Sequence, residues 1–339
     1  MSKIISRGRR IGRALAFCTV AAAWSLLAAR RSDGSARTAE AANAVASGVT
    51  AALTAPITAL HDATTRAHDD SERLLATIDS LRGRSGKLVA RQMPRSSKHL
   101  SFFTRLFGDT VVRALGVHDL TDSTGTTRFA LITIRDFTEK QDGRIGSYRI
   151  GFWPNEQGEA YGGAYANPSG FIEVTPENMN TAVSKHFRLS DFLTHDQKGT
   201  WPKYLVLRED LVDKLELVID QLEREGHTVQ HMSVMSGFRT PQYNATGGET
   251  GGRASLSRHM YGDAADVFVD NDRDGRMDDL NRDGRVNHRD AQVILDAAEK
   301  VERRHPDVTG GVGVYKATSA HGPFAHVDVR GYRARWGLL

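Results

Sequence analysis

Ser257-Arg258-His259-Met260-Tyr261-Gly262-Asp263-Ala264-Ala265-Asp266 is the stretch on which the fold turns. It carries a histidine and an aspartate, and a second histidine follows in His326-Val327-Asp328. Hydrolytic zinc sites use three protein ligands and leave a fourth position open. Two imidazoles and one carboxylate leave such a metal with net positive charge, which lowers the pKa of a bound water toward about 7. Gly262 and Ala264 are small, so the chain can turn closely from a loop bearing His259 into a strand bearing Asp266. The single cysteine, Cys18, lies in an N-terminal apolar run. A site built from the rest of the chain uses nitrogen and oxygen alone.

Around this stretch the periodicity predicts a mixed order of elements. Leu211, Val212, Leu215, Val218 and Leu222 recur at helical spacing and Gly226 follows as a stop, so residues 208–225 read as a helix. Strands are expected at 230–235, 264–269 and 324–329, and a helix at 289–304. Few strands in mixed order favour α+β over a doubly wound sheet. His231 lies alone on a strand and receives no role.

The run Ser-x-His-x-x-Gly-x-Ala-x-Asp resembles the zinc motif of the D-Ala-D-Ala carboxypeptidase family of metallopeptidases. The resemblance extends to Ser236-Gly-Phe-Arg239-Thr-Pro241-Gln-Tyr-Asn244 and to Gly311-Val-Gly-Val-Tyr315 with Phe324-Ala-His326-Val-Asp328-Val-Arg330-Gly331. It covers residues 184–337 and looks like the branch of the family found in bacterial envelope proteins, in which the peptidase-like domain is C-terminal. It implies a hedgehog/DD-peptidase-like α+β fold, one zinc held by His259, Asp266 and His326, and peptidoglycan stem peptides as substrate. Many relatives carry Glu three residues before the last histidine, where this chain has Pro323. Asp328 is therefore the first candidate for the general base, because residues i and i+2 of a strand share a face. His321 is the second candidate. Arg239 is expected to polarise the scissile carbonyl or bind a substrate carboxylate, as matching arginines of the family imply.

An acidic segment follows Asp266. A calcium loop wants oxygen ligands at positions 1, 3 and 5, glycine at 6, a carbonyl at 7 and oxygens at 9 and 12. Asp279, Asn281, Asp283, Gly284, the Arg285 carbonyl, Asn287 and Asp290 fill that pattern and resemble a dockerin or EF-hand loop. Asp270, Asp272, Asp274, Gly275, the Arg276 carbonyl and Asp278 form a less complete copy just upstream. Calcium is expected at the second loop, and the first is a possible second site.

Upstream, residues 99–183 are expected to form a small β-rich module, with strands at 129–134 and 148–153. Residues 32–98 are Ala-rich and read as a linker or stalk. Residues 1–31 join basic side chains (Lys3, Arg7, Arg9, Arg10, Arg13, Arg30, Arg31) to an apolar run from Ala14 to Ala29. That run is short for a membrane span and suits an export signal, with an uncleaved anchor as the alternative. The basic excess implied by a pI of about 9.2 is confined to this segment, and the remaining body is mildly acidic. Nucleic acid is not an expected partner. The reading is an exported zinc metallopeptidase of the periplasm or cell envelope, acting on peptidoglycan peptides and meeting the membrane only through its N-terminal segment. The alternative is a non-catalytic wall-binding or calcium-organised scaffold.

Overall fold

The computed structural model describes residues 81–94, 108–121, 127–159, 161–247 and 253–337, with Ile78, Phe103 and Thr104. The expected signal or anchor and most of the expected linker lie outside the described residues. Among the described residues no helix is long and apolar enough to cross a membrane. Contacts divide the chain into two units, 1–78 with 121–126, and 79–120 with 127–339. Nearly all of the first lies outside the described residues, and the second holds the elements below apart from Thr121 at the end of one strand.

The second unit is mixed α+β. One sheet runs β1 (Ala90–Pro94), β3 (Thr127–Asp136), β6 (Gly170–Val174), β7 (Lys203–Leu205), with β2 (Gly116–Thr121) also beside β3. A short helix α1 (Asp109–Arg113) precedes β2, and β4 (Arg144–Ile145) pairs with β5 (Tyr148–Arg149) as a small hairpin. Two expectations are corrected here. The linker does not run to Lys98, because Ala90–Pro94 pairs in parallel with β3 and buries Ala90 and Met93. Arg91 and Gln92 interrupt any apolar run, so this strand exists through its pairing. The strand expected at 148–153 shrinks to Tyr148–Arg149, because Gly151 adopts φ 85 and turns the chain so that Ile150 and Trp153 are both buried.

The second sheet runs β12 (Ala334–Trp336), β10 (Gly311–Tyr315), β11 (Phe324–Asp328), β9 (Ala264–Val269), β8 (Met232–Ser236). β12 lies parallel to β10 and the other pairs are antiparallel. Helix α2 (Glu209–Arg224) buries the predicted Leu211, Val212, Leu215, Val218 and Leu222, and Gly226 follows at φ 86. A short α3 (Pro241–Thr246) starts at an N-cap Thr240 whose side chain accepts from the Tyr243 amide. Helix α4 (His288–Arg304) starts at Asn287, whose side chain accepts from the Arg289 amide, with Asp290 closing a capping box. Helices α2 and α4 pack together, and α4 lies on β10 and β11.

Alternation along the strands divides the second sheet into two faces. Val312, Val314, Val267, Ala325 and Val327 join one apolar core with Ile294, Leu295 and Ala298 of α4. The opposite face carries Asp266, Tyr315, Phe324, His326 and Asp328, with His326 directly across from both Asp266 and Gly313. The same core cluster takes in Leu88, Trp153 and Phe171. Residues before Ser184 thus share their core with those after it.

Candidate metal centre

The polar face of the second sheet brings three donor atoms together. His259 comes from a 3-10 turn, Arg258–Tyr261, that feeds into β9. That turn closes at Gly262, with φ 64, where a Cβ would stand 2.3 Å from the Val206 carbonyl oxygen. Only glycine fits there. Asp266 and His326 face each other across β9 and β11. His259 Nε2 lies 3.2 Å from His326 Nδ1 and 3.3 Å from Asp266 Oδ1, and His326 Nδ1 lies 3.0 Å from Asp266 Oδ1. All three residues are buried.

The outer atom of each donor is held. His259 Nδ1–H donates to the Gly237 carbonyl at 2.7 Å, which leaves the Nε2 lone pair pointing inward. His326 Nε2–H donates to Asp328 Oδ2 at 3.0 Å, which leaves Nδ1 inward. Asp266 Oδ2 accepts from Arg239 at 2.7 Å, which leaves Oδ1 inward. Metal-binding histidines usually have their second nitrogen fixed in this way. Zinc with N and O ligands at about 2.0–2.2 Å in a tetrahedron separates those ligands by roughly 3.3 Å. The spacing here matches, so the residues fit the ion. Burial favours the neutral form of Asp266, but charge and hydrogen bonds from His259 and His326 hold its carboxyl well below the usual carboxylate range. Burial lowers the His259 pKa. For His326 burial acts the same way, but hydrogen bonds to Asp266 and Asp328 outweigh it and raise the pKa.

Three further residues expected at the site take different places. Arg239 is already engaged, with Nε on Ser236 Oγ at 2.9 Å and its outer nitrogen on Asp266. Its place is behind the aspartate. Asp328 shares the face of His326, but it is fully buried and has no free lone pair. It accepts from His326, from the Gly311 amide at 2.7 Å, and from Arg330 through its amide at 3.1 Å and through its guanidinium. Against burial, those partners hold its carboxyl far below the usual range. Such a carboxylate orients His326 and is ill suited to accept a proton. His321 is partly exposed on the loop before β11. Its Nδ1–H donates to the Gly322 carbonyl at 2.8 Å, and its ring meets Phe324 edge-on at 5.0 Å.

Several neighbours had no clear signal in the sequence. Trp336 on β12 lies 5.1 Å from the His326 ring and donates its indole N–H to the Tyr315 hydroxyl at 2.9 Å. Tyr315 stacks on Phe324 at 4.5 Å, and burial raises its pKa. Trp153, from the segment before Ser184, donates to the Met260 carbonyl at 2.9 Å and so braces the turn that carries His259. The Arg258 guanidinium lies 4.7 and 4.8 Å from the ring centroids of Tyr165 and Tyr261, which meet edge-on, and it pairs with buried Asp263, which clamps the same turn. Positions 258 and 263 sit inside the quoted motif and carry opposite charges, so charge pairing across it was the available signal.

The acidic segment folds as two equivalent turns. Asp270 Oδ1 and Oδ2 accept from the amides of Asp274 and Gly275, and Asp279 does the same with Asp283 and Gly284. Arg273 and Arg282 both take positive φ, 61 and 59. Of the calcium ligands expected, Asp270, Asp272 and Asp278 bring carboxylate oxygens within 4.8 Å of one another. Asp279, Asp283 and Asp290 do not form such a group among the described residues, so the sequence's preference for the second loop is not matched by the geometry. Asp290 instead caps α4 and accepts from the amides of Asn281 and Asn287.

Residues 185–293 match the family model described as Peptidase M15. The match includes His259 and Asp266 and ends before His326. No curated protein and no solved structure matches the chain. Match and geometry meet at one place: residues 185–293 correspond to a Peptidase M15 domain, the D-Ala-D-Ala carboxypeptidase family of metallopeptidases, and His259, Asp266 and His326 form a candidate zinc triad.

Proposed function

We propose that the protein is an exported zinc peptidase that hydrolyses peptide bonds in peptidoglycan stem peptides or cross-links, on a hedgehog/DD-peptidase-like fold. The observation that carries the reading is the inward convergence of His259 Nε2, His326 Nδ1 and Asp266 Oδ1, each with its outer atom held. Zinc held there supplies Lewis acidity and makes water acidic enough to attack near neutral pH. Arg239 and Asp328 keep Asp266 and His326 in place. His321 is the base in this reading: its Nδ1–H is spent on Gly322, and Nε2, which makes no hydrogen bond among the described residues, takes a proton from the attacking water and passes it to the leaving amine. The peptidoglycan substrate and export rest on the resemblance and the N-terminal segment of the sequence.

Calcium in the acidic turns belongs to the same proposal, supported by the sequence pattern and by the approach of Asp270, Asp272 and Asp278. The deciding experiment is mass spectrometry of purified muropeptides after incubation with the zinc-loaded chain. Release of stem-peptide fragments by wild type, and none by a His259→Ala, His326→Ala double variant, is expected. Intact muropeptides with both proteins would remove the peptidoglycan assignment.

A further inference from the structure

We infer that Tyr315 donates a hydrogen bond to the substrate's carbonyl oxygen as that oxygen becomes negative, and that Trp336 fixes it in this role. The inference rests on the peptidase reading above. Tyr315 stands on the same sheet face as His326 and Asp266, two residues along β10 from Gly313, the cross-strand partner of His326. An indole N–H can only donate. In the 2.9 Å bond from Trp336 Nε1, the Tyr315 oxygen is therefore the acceptor. A phenol has one proton, and it must point away from the indole. Among the described residues this is the one hydrogen bond that the hydroxyl makes. Its own proton is left for a ligand.

The hydroxyl is also held in position. The Tyr315 ring lies flat on Phe324, with an interplanar angle of 8°. Trp336 pairs with Gly313, where a Cβ would stand 2.1 Å from the indole. Glycine at 313 thus makes room for the indole, which bridges His326 on one side and Tyr315 on the other. Arg239, the group expected to serve the carbonyl, is bound to Asp266 and Ser236. The tyrosine fills the vacant role. As the water oxygen bonds to the carbonyl carbon, the C=O π pair moves onto oxygen. Tyr315 donates to that oxygen and keeps its proton. The C–N bond then breaks, the electron pair re-forms C=O, and the amine departs with the proton taken from the water. A donor fixed before the charge develops needs no reorganisation as it forms.

The test compares full-length wild type, Tyr315→Phe and Trp336→Phe at matched zinc content, by peptide hydrolysis and by calorimetric binding of a phosphinate dipeptide, which mimics the tetrahedral centre. Tyr315→Phe is expected to lower kcat about 10²–10³-fold, as loss of one such donor does, with KM nearly unchanged. Phosphinate affinity should drop about tenfold or more, the loss of one hydrogen bond to a charged group. Trp336→Phe, which frees the hydroxyl to rotate, should lose kcat to a smaller extent. Wild-type kcat and phosphinate affinity in Tyr315→Phe would overturn the inference. So would losses that merely follow lower zinc content or melting temperature. A wild type that cleaves no peptide, yet binds the phosphinate in a Tyr315-dependent way, would sink the peptidase reading alone.

Discussion

The candidate zinc triad and the acidic turns both gather side chains that can hold a metal, but they do so by opposite means. In the triad two outer atoms are held from outside their own element: Gly237 holds His259 and Arg239 holds Asp266. Even the nearest brace, Asp328 on His326, is itself fixed by the Gly311 amide from the next strand. In the turns the holding is local. Asp270 and Asp279 spend their oxygens on amides four and five residues ahead. Such turns form from short-range hydrogen bonds, as aspartates commonly allow. Tertiary structure aims the first set of donors at a common point, whereas the second set has partners whether or not an ion arrives.

Breaking the triad should give the largest effect. His259→Ala with His326→Ala removes two of three ligands, so bound zinc should fall from about one per chain to near zero, with hydrolysis at background. Elemental analysis reads this, and full zinc retention would end the assignment. Next comes Asp328→Asn, which keeps the shape but weakens the hold on His326. Zinc affinity should fall about 10–100-fold, as it does when an outer partner is lost. Chelator competition measures it. Unchanged affinity with lost turnover would instead return Asp328 to the role of base. Trp153→Phe leaves the Met260 carbonyl without its donor, and unfolding by urea should show a loss of about 1–3 kcal/mol. A neutral result would mean that the turn bearing His259 is braced by Arg258 and Asp263 alone. The smallest effect concerns the turns. Calcium added to chelated protein should raise the melting temperature, since one site at a hundredfold excess over Kd stabilises the fold by about 2.7 kcal/mol. Asp270→Ala with Asp278→Ala should abolish the rise. If wild type shows no response by melting or calorimetry, the turns stand on their amide bonds and the contrast is complete.

The members of the buried His-Asp-His group, the helices α2 and α4 and strand β9 were legible because each is marked by pattern within a few residues. What was not legible depends on pairing across long separations. Asp328 was read as a base from its shared face with His326, and the face is right. Its occupation by Arg330 and the Gly311 amide depends on where β10 lands. Arg239 was read as free for substrate because nothing local reveals its partner Asp266. Trp336 gains meaning only through Gly313, and β1 only through β3.

The register that sets Asp266 opposite His326 also has a consequence in chain entropy. The two residues are 60 positions apart, and the chain between them runs out through the acidic turns and α4 before it returns by β10. The entropy of closing a loop grows only with the logarithm of its length, about 0.6 kcal/mol for each doubling. An excursion already this long therefore accommodates the turns for a few tenths of a kcal/mol, roughly, by the same scaling. By this scaling, lengthening or shortening the segment between β9 and β11 costs little in loop closure and leaves the pairing of Asp266 with His326 in place.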